Sequence, residues 1–299
     1  MKTRISRLLL VIGLVLALAA GFGATPADSV VLSGVPEYLW YHGCSPTSGG
    51  MLMGYWAAKG YTQLLPGVTN PMVQTSAVNQ AISSTAHNVN DTYVGHTADC
   101  IADFMQTVSG GTYGTNIASG LAAWTSYVGL TAKTASYSEV SYYGGTFSYT
   151  NFVHEIDAGR PMLLNLVTYA PSPYQKWVGH SVLAYGYQAN MFQLRIYDGG
   201  TYENITVAGF AVMDTWKNGV GAGKQADWYD WFGNKVYAQL VNGVEWWPYL
   251  DLTGSSYSNL WDWQITSGVS YQPVPVPPTL VLLGSGLLIL LRPRRQNRS

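Results

Sequence analysis

Cys44 and His180 form the pair of residues that most constrains how this chain folds. Cys44 lies in the segment WYHGCSPTS at positions 40–48, and His180 follows 136 residues later in the segment GHSV at positions 179–182. A cysteine thiol becomes a nucleophile at neutral pH when a nearby base favours its thiolate, and an imidazole can be that base. The sequence therefore predicts a fold that brings these two distant residues into contact, with Cys44 as candidate nucleophile and His180 as its base.

Residues 1–27 are typical of an export signal. Three basic residues within positions 2–7 precede an apolar run at 8–18, and small residues follow as far as Ala27. A basic start, a short apolar segment and small residues before the cleavage point are the marks of secretory signals. We therefore expect cleavage near Ala24 or Ala27 and export of the remaining chain.

Residues 273–299 have a second sorting pattern. The segment PVPVPP at 273–278 leads into an apolar run at 280–291, which four arginines follow. This run is short for a membrane span, which takes about 20 residues. The pattern resembles the PEP-CTERM signal of Gram-negative bacteria, in which a Pro-Glu-Pro motif, a short helix and a basic tail are recognised by an exosortase. Val276 stands where that family has glutamate. The resemblance implies an exosortase partner, a transient membrane anchor formed by this helix, and a final location at the cell surface or outside the cell.

The charge between these two signals argues against nucleic-acid binding. Seven of the 15 Lys and Arg residues lie in the two ends, whereas the 16 Asp and Glu residues all lie between them. The remaining chain of about 240 residues is therefore acidic. Because nucleic-acid binding relies on Lys and Arg to neutralise phosphates, we predict no nucleic-acid partner.

The order of hydrophobic patterns predicts an α+β fold. Helical spacing occurs at 44–58, 97–105 and 150–157, and strand patterns follow at 162–168, 181–187, 192–197, 205–213 and 236–241. Helices followed by an antiparallel sheet are typical of this class. We predict one domain over residues 30–250, followed by an extension and linker at 251–272.

Asp198 is the candidate third residue of the site. If residues 188–190 form a hairpin loop, the strand register places His180 directly opposite Asp198, with Cβ atoms about 4.5 to 5.5 Å apart. A carboxylate at that position would fix the tautomer of the imidazole and stabilise its protonated form. Asp198 could instead form a turn before the two glycines that follow it. Asp214 is a rival for the same role, but its use requires a sheet order that the sequence does not specify.

The remaining cysteine and histidines indicate no metal centre. Cys44 could instead form a disulfide with Cys100, because two cysteines in an exported protein are often bridged. Cys100 lies on an apolar helical face and is predicted to be core. His42 is predicted to be a turn residue at the rim of the cleft. The other three histidines, His87, His96 and His154, have no repeated ligand spacing, so no metal and no cofactor are predicted.

Several short motifs together resemble a known family. The segments VP at 35–36, WYHGCSPT at 40–47, GHSV at 179–182 and GY at 186–187 are similar to the C39-like branch of papain-fold cysteine peptidases, over about residues 35–240. The resemblance implies a papain-like α+β domain with N-terminal helices packed on an antiparallel sheet. It also implies Cys44 as nucleophile, His180 as general base and then acid, and an aspartate in the place of Asp198. Tyr38 lies six residues before Cys44, where that family has its oxyanion-hole glutamine. We expect the backbone N–H of Cys44 and a side chain, Trp40 or Tyr38, to donate instead.

Two functional hypotheses follow. The first is an exported cysteine hydrolase, a peptidase that cleaves peptide or isopeptide bonds of a peptide or protein substrate at the surface or in the extracellular matrix of a Gram-negative bacterium. The alternative is an inactive papain-fold module that binds extracellular polysaccharide or peptides. In that case exposed aromatic rings would stack on the ligand, and the candidates are Trp246, Trp247, Trp261 and Trp263.

Overall fold

The computed structural model of the protein describes residues 28–140, 145–170, 176–198, 201–216, 228–229, 235–236, 238–250 and 263–274. The predicted export signal at 1–27, Trp261 and the sorting signal beyond residue 274 lie outside the described residues. Within the described ranges, every helix is too short or too polar to span a membrane.

Helices and strands are segregated along the chain. The helices are α1 (Cys44–Ala58), α2 (Ser76–Ile82), α3 (Thr85–Asn90), α4 (Ile101–Phe104), α5 (Gly114–Tyr127) and α6 (Tyr149–Asp157), with a 3₁₀ turn at Thr62–Leu64. The strands are β1 (Ser29–Val31), β2 (Ala132–Glu139), β3 (Met162–Ala170), β4 (Lys176–Asp198), β5 (Thr201–Met213), β6 (Trp228–Tyr229), β7 (Lys235–Val236), β8 (Gln239–Val241), β9 (Val244–Pro248) and β10 (Gln264–Pro273). The predicted α+β class is confirmed.

One antiparallel sheet organises the described part of the chain. Its strands lie in the order β2-β10-β3-β4-β5-β9-β8, and β1 pairs with β4 outside this path. The short strands β6 and β7 pair with each other. Strands β3, β4 and β5, which follow one another in sequence, are neighbours in the sheet and form its centre.

Strand β10 lies inside the sheet although it comes last in the sequence. Ser267 pairs with Asn165 of β3 on one side and with Glu139 of β2 on the other. Val269 and Tyr271 of the same strand are fully buried. The prediction that residues 251–272 are an extension and linker is therefore wrong from Gln264 onward, and the domain extends beyond the predicted boundary at 250.

The hairpin predicted at residues 188–190 does not form. Strand β4 runs through this segment, and its register with β5 shifts between Gln188 and Phe192, which marks a bulge. Asn190 adopts a left-handed backbone with φ of 52° within the bulge. The turn-forming composition of this segment therefore bends a continuous strand instead of reversing it.

Helix α1 is buried on all sides, so no single apolar stripe identifies its inner face. Every residue from Ser45 to Ala57 is buried, whereas Ala58, the last residue of the helix, is exposed. Glycines allow this close packing. A Cβ atom on Gly50 would lie 2.5 Å from Cγ1 of Ile82.

The sheet is covered on both faces. Leu163 and Leu183 lie in a core with α1 and α5, whereas their neighbours Leu164 and Val182 lie in a second core with α6. Successive residues of a strand point to opposite faces, so each central strand contributes to both cores. This packing holds β4 against α1. Cys44 is the first residue of α1, and His180 lies near the start of β4.

The position of β10 can be tested by truncation. A chain of residues 28–274 retains β10, whereas a chain of residues 28–250 lacks it. We expect only the longer chain to unfold cooperatively, because the loss of three buried side chains, Ile265, Val269 and Tyr271, removes about 1.5 to 3 kcal/mol each. That sum approaches the total stability of many domains. Circular dichroism during thermal unfolding measures the difference, and equal melting temperatures would show that β10 is dispensable.

Candidate active site

A tight backbone turn presents Cys44 at the first position of α1. His42 and Gly43 have φ angles of 52° and 137°. Only glycine fits the second position, because a Cβ atom there would lie 2.9 Å from Cγ of Pro46 and 3.1 Å from the carbonyl oxygen of Gly110. Cys44 is partly exposed, as an accessible nucleophile must be. The positive end of the helix dipole favours a thiolate at this position.

His180 lies in the N-terminal part of β4, where its side chain is fully buried. Its Nε2 atom is 2.8 Å from Oδ1 of Asp214. Asp214 follows the last residue of β5, and the pairing of Leu183 with Met213 brings the end of β5 beside the start of β4. Strands β4 and β5 are adjacent in the sheet, an order that the sequence did not specify, and this adjacency places Asp214 within reach of the imidazole.

Trp216 completes the surroundings of the imidazole. Its ring stacks on that of His180 with 3.7 Å between ring centroids and an interplanar angle of 19°. Its backbone N–H donates to Oδ1 of Asp214 over 3.0 Å. The same residue thus covers one face of the imidazole and orients the carboxylate that holds it.

The electrostatics favour a thiolate and imidazolium pair. Burial alone would lower the pKa of His180, but the hydrogen bonds with Asp214 and Cys44 raise it to about 9. Burial alone would raise the pKa of Cys44, yet the hydrogen bond and charge of His180, the N–H of Ser181 and the hydroxyl of Ser45 lower it. Nδ1 of His180 is buried and has no other hydrogen-bond partner of standard geometry among the described residues. It is therefore the nitrogen left to exchange a proton with Cys44.

Asp198 lies away from this site. Its backbone pairs with Thr201 at the β4–β5 turn, 18 residues along β4 from His180. A strand advances about 3.3 Å per residue, so the separation along the strand amounts to tens of ångströms. The prediction that Asp198 lies opposite His180 is wrong, because it required a reversal at 188–190. Asp214, the rival candidate, occupies the orienting position.

A chain of buried hydrogen bonds connects the start of α1 with the sheet. The hydroxyls of Ser45 and Ser181 lie 2.8 Å apart, and Ser181 donates to Oδ1 of Asn165 over 2.8 Å. Asn165 in turn donates through Nδ2 to Oγ of Ser267 over 2.8 Å. These residues lie on α1, β4, β3 and β10, so the network fixes the nucleophile's helix relative to the strand that carries His180. This network was not predicted, because residue spacing does not identify hydrogen-bond partners on separate strands.

The side chain of Tyr38 cannot serve as an oxyanion donor in this conformation. Tyr38 is fully buried, and its hydroxyl donates to the carbonyl oxygen of Pro71. Trp40 is 47% exposed near the turn before Cys44, and its backbone N–H donates to the carbonyl oxygen of Thr215 over 2.8 Å. The backbone N–H of Cys44 and the indole of Trp40 are therefore the donors that remain from the sequence analysis.

The two cysteines are not bridged. Both are free, and the thiol of buried Cys100 donates to Oδ2 of Asp103 over 3.2 Å. Burial raises the pKa of Cys100 to about 12. Cys100 is therefore an inert thiol of the core, which leaves Cys44 as the reactive one.

Two histidines, His87 and His96, are closer in space than their sequence spacing indicates. His87, His96 and Asp103 form a group whose ligand atoms are close enough to hold a metal ion. His87 and His96 both contact Oδ1 of Asp103, at 2.7 and 2.9 Å. This cluster was not predicted, because the sequence spacing of His87 and His96 matches no repeated ligand pattern. His154, in contrast, is 77% exposed and lies on α6.

Comparison with protein families identifies a match that covers most of the chain. The model of the Peptidase_C39 like family matches residues 32–243, a segment that includes Cys44, His180 and Asp214 and ends before β10. No curated protein sequence matches the chain significantly. The architecture is that of a papain-like C39 domain.

Thiol alkylation tests the electrostatics of the pair. We expect iodoacetamide to modify Cys44 at pH 7 faster than it modifies an unperturbed thiol, because the lowered pKa of Cys44 increases the share of thiolate there. Cys100 should remain unmodified in the folded protein. The His180→Ala variant should return the rate profile towards an ordinary thiol, with a midpoint near pH 8.5. Mass spectrometry after timed quenching gives both rates, and an ordinary profile in the unaltered protein would contradict the pair.

Substitution of the two aspartates separates the rival assignments. We expect Asp214→Asn to lower the rate of Cys44 alkylation at pH 6 by about tenfold or more, because the pKa of His180 falls without the carboxylate. The matched variant Asp198→Asn should alkylate at the unaltered rate. The reverse outcome would restore Asp198 as the orienting residue.

Proposed function

The chain belongs to the Peptidase_C39 like family, and on that premise we propose that it is an exported cysteine hydrolase, a peptidase that cleaves peptide or isopeptide bonds. The observation that carries the proposal is the partly exposed thiol of Cys44 beside a buried imidazole that Asp214 holds at 2.8 Å. A lowered pKa at an accessible thiol and a raised pKa at its histidine partner are typical of catalytic pairs.

In the proposed reaction, the thiolate of Cys44 attacks the carbonyl carbon of the scissile bond. The backbone N–H of Cys44 then donates to the oxyanion, and the imidazolium of His180 gives its Nδ1 proton to the departing amine. The product is a thioester between Cys44 and the acyl part of the substrate. Neutral His180 next takes a proton from water, which attacks the thioester and releases the carboxylic acid.

Asp214 and Trp216 support this cycle as positioning residues. The carboxylate accepts a hydrogen bond from the Nε2–H group in both steps, without taking the proton, and so keeps Nδ1 directed at the sulfur and the leaving group. The stacked indole keeps water from one face of the imidazole. Because the side chain of His180 is buried, its hydrogen bond from Nε2 to Asp214 is stronger than it would be in water.

The proposed place of action is the cell surface or the extracellular matrix. This part of the proposal rests on the sequences at 1–27 and 273–299, with an exosortase as the partner that processes the C-terminal segment. Mass spectrometry of the protein recovered from its native cells would identify both mature ends. Recovery of an intact segment 280–291 on the mature protein would contradict the sorting signal.

The alternative of a sugar-binding module receives less support. Trp246, Trp247 and Trp263, which would have stacked on a ligand, are buried at 4%, 4% and 2% exposure. Buried indoles contribute to the core and offer no face to an external polymer. We therefore retain the module only as an outcome of the activity test.

Peptide hydrolysis tests the proposal directly. We expect the mature protein to cleave members of a peptide library, with products detected by mass spectrometry, and Cys44→Ala to reduce cleavage to background. The matched variant Cys100→Ala should remain active. The rate should decline as the pH rises through about 9, because the imidazolium that protonates the leaving amine is lost there. Peptide binding without Cys44-dependent cleavage would favour the binding module.

A further inference from the structure

Trp263 lies beside the candidate active site, although it comes from a segment outside the family match. The match ends at residue 243, and Trp263 directly precedes β10. Its side chain is 2% exposed. The centroid of its ring lies 5.4 Å from that of His180 and 6.0 Å from that of Trp216. The imidazole therefore has a second aromatic neighbour, which the reaction above does not use.

The pairing of three strands explains how Trp263 reaches His180. Ile265 of β10 pairs with Leu166 of β3, and Leu166 pairs with His180 of β4. These three residues thus form one row across the sheet. Trp263 lies two positions before Ile265, and alternate residues of a strand point to the same face. Trp263, Ile265 and Leu166 accordingly belong to the same core. The register of β10 on β3 therefore sets the position of the indole.

The two indoles cover different sides of the imidazole. Trp216 stacks on the ring of His180, with 3.7 Å between centroids and 19° between planes. The three centroid separations, 3.7, 5.4 and 6.0 Å, form a triangle with nearly a right angle at His180. Because Trp216 lies over a face of the imidazole, Trp263 lies close to the ring plane, at an edge. Trp263 also supports Trp216 from the side, in the T-shaped arrangement that aromatic pairs favour.

An indole at the ring edge restricts rotation of the imidazole. The terminal torsion of a histidine side chain is broad, so its neighbours select the orientation. Asp214 and Cys44 are the charged or titratable groups that act on His180, and each must meet a particular ring nitrogen. Trp263 adds an uncharged, buried wall in the space through which the ring edge would turn. The wall favours the one orientation in which both hydrogen bonds form.

We propose that Trp263 is a positioning residue of the candidate active site, whose indole holds the imidazole of His180 with Nδ1 directed at Cys44. The inference rests on the proposed function and extends the site beyond the segment that the family match covers. The same strand supplies Ser267, which accepts the hydrogen bond from Asn165. Strand β10 and the residue before it therefore act on both halves of the pair, on the base through Trp263 and on the nucleophile's helix through Ser267.

Substitution of Trp263 in the full mature chain tests this role. We expect Trp263→Leu to lower kcat for peptide cleavage by about tenfold, because small misplacements of a catalytic group have effects of this size or larger. KM should stay unchanged, because a side chain with 2% exposure does not contact substrate. The rate of Cys44 alkylation by iodoacetamide at pH 6 should fall towards that of His180→Ala, because the imidazole then spends less time beside the sulfur.

Trp247 provides the matched control, because it is a buried indole of the same core. It is 4% exposed and packs on Phe210 of β5. We expect Trp247→Leu to lower the melting temperature at least as much as Trp263→Leu, since it also loses a hydrogen bond to Glu245. Its kcat and alkylation rate per folded molecule should match the unaltered protein. The phenylalanine variants serve if a leucine variant does not fold, and Trp263→Phe should then alkylate more slowly at pH 6 than Trp247→Phe.

The outcomes separate this inference from the proposed function. Ordinary alkylation of Cys44 in the unaltered protein would overturn the thiolate pair and the role of Trp263 together. Enhanced alkylation that Trp263→Leu retains in full would overturn the role of Trp263 alone and leave it as a core residue. An equal loss in Trp247→Leu would do the same, because the loss would then follow stability. Slower alkylation in Trp263→Leu than in Trp247→Leu supports the inference even if no peptide is cleaved, a result that would overturn only the peptidase proposal.

Discussion

The candidate site depends on the hydrogen bond between Nε2 of His180 and Oδ1 of Asp214. A buried imidazole loses charge unless a carboxylate holds it, and Asp214 at 2.8 Å reverses the effect of burial. The raised pKa of His180 in turn lowers that of Cys44. Without this contact, burial would leave a neutral imidazole and an ordinary thiol. The reactive state of the sulfur is thus set by a residue that directly follows β5, whereas its base lies on β4.

Hydrogen bonds between α1 and the sheet hold Cys44 in a fixed position relative to His180. The chain of hydrogen bonds through Ser181, Asn165 and Ser267 ties α1 to three strands, and each member is buried. Buried polar groups of this kind are costly unless every partner is in place. The network therefore favours one position of α1 along the sheet, which is the position that puts Cys44 beside His180.

The sequence identified Cys44 and His180 because the glycines and small residues around them mark special local geometry. It placed Asp198 before Asp214 as the third residue, because a turn-like segment at 188–190 predicted a hairpin, whereas that segment forms a bulge and the actual reversal lies one segment later. Strand β10 escaped prediction because its sequence QITSGVSYQP has few branched residues. The contacts of His87 and His96 with Asp103 escaped prediction because ligand spacing reveals clusters built on one element, whereas His87 and Asp103 lie on different helices. The reactive residue types could therefore be predicted from the sequence, whereas the pairing of segments distant in the sequence could not.

The late arrival of β10 has a consequence for the order in which the chain folds during synthesis. Until residue 273 leaves the ribosome, β2 lacks its partner and one edge of β3 is open. An open edge invites pairing with other chains. A nascent chain that stalls before this point would therefore be prone to self-association and chaperone capture. The network that positions α1 includes Ser267 of β10, so the geometry of the thiol also depends on this late segment.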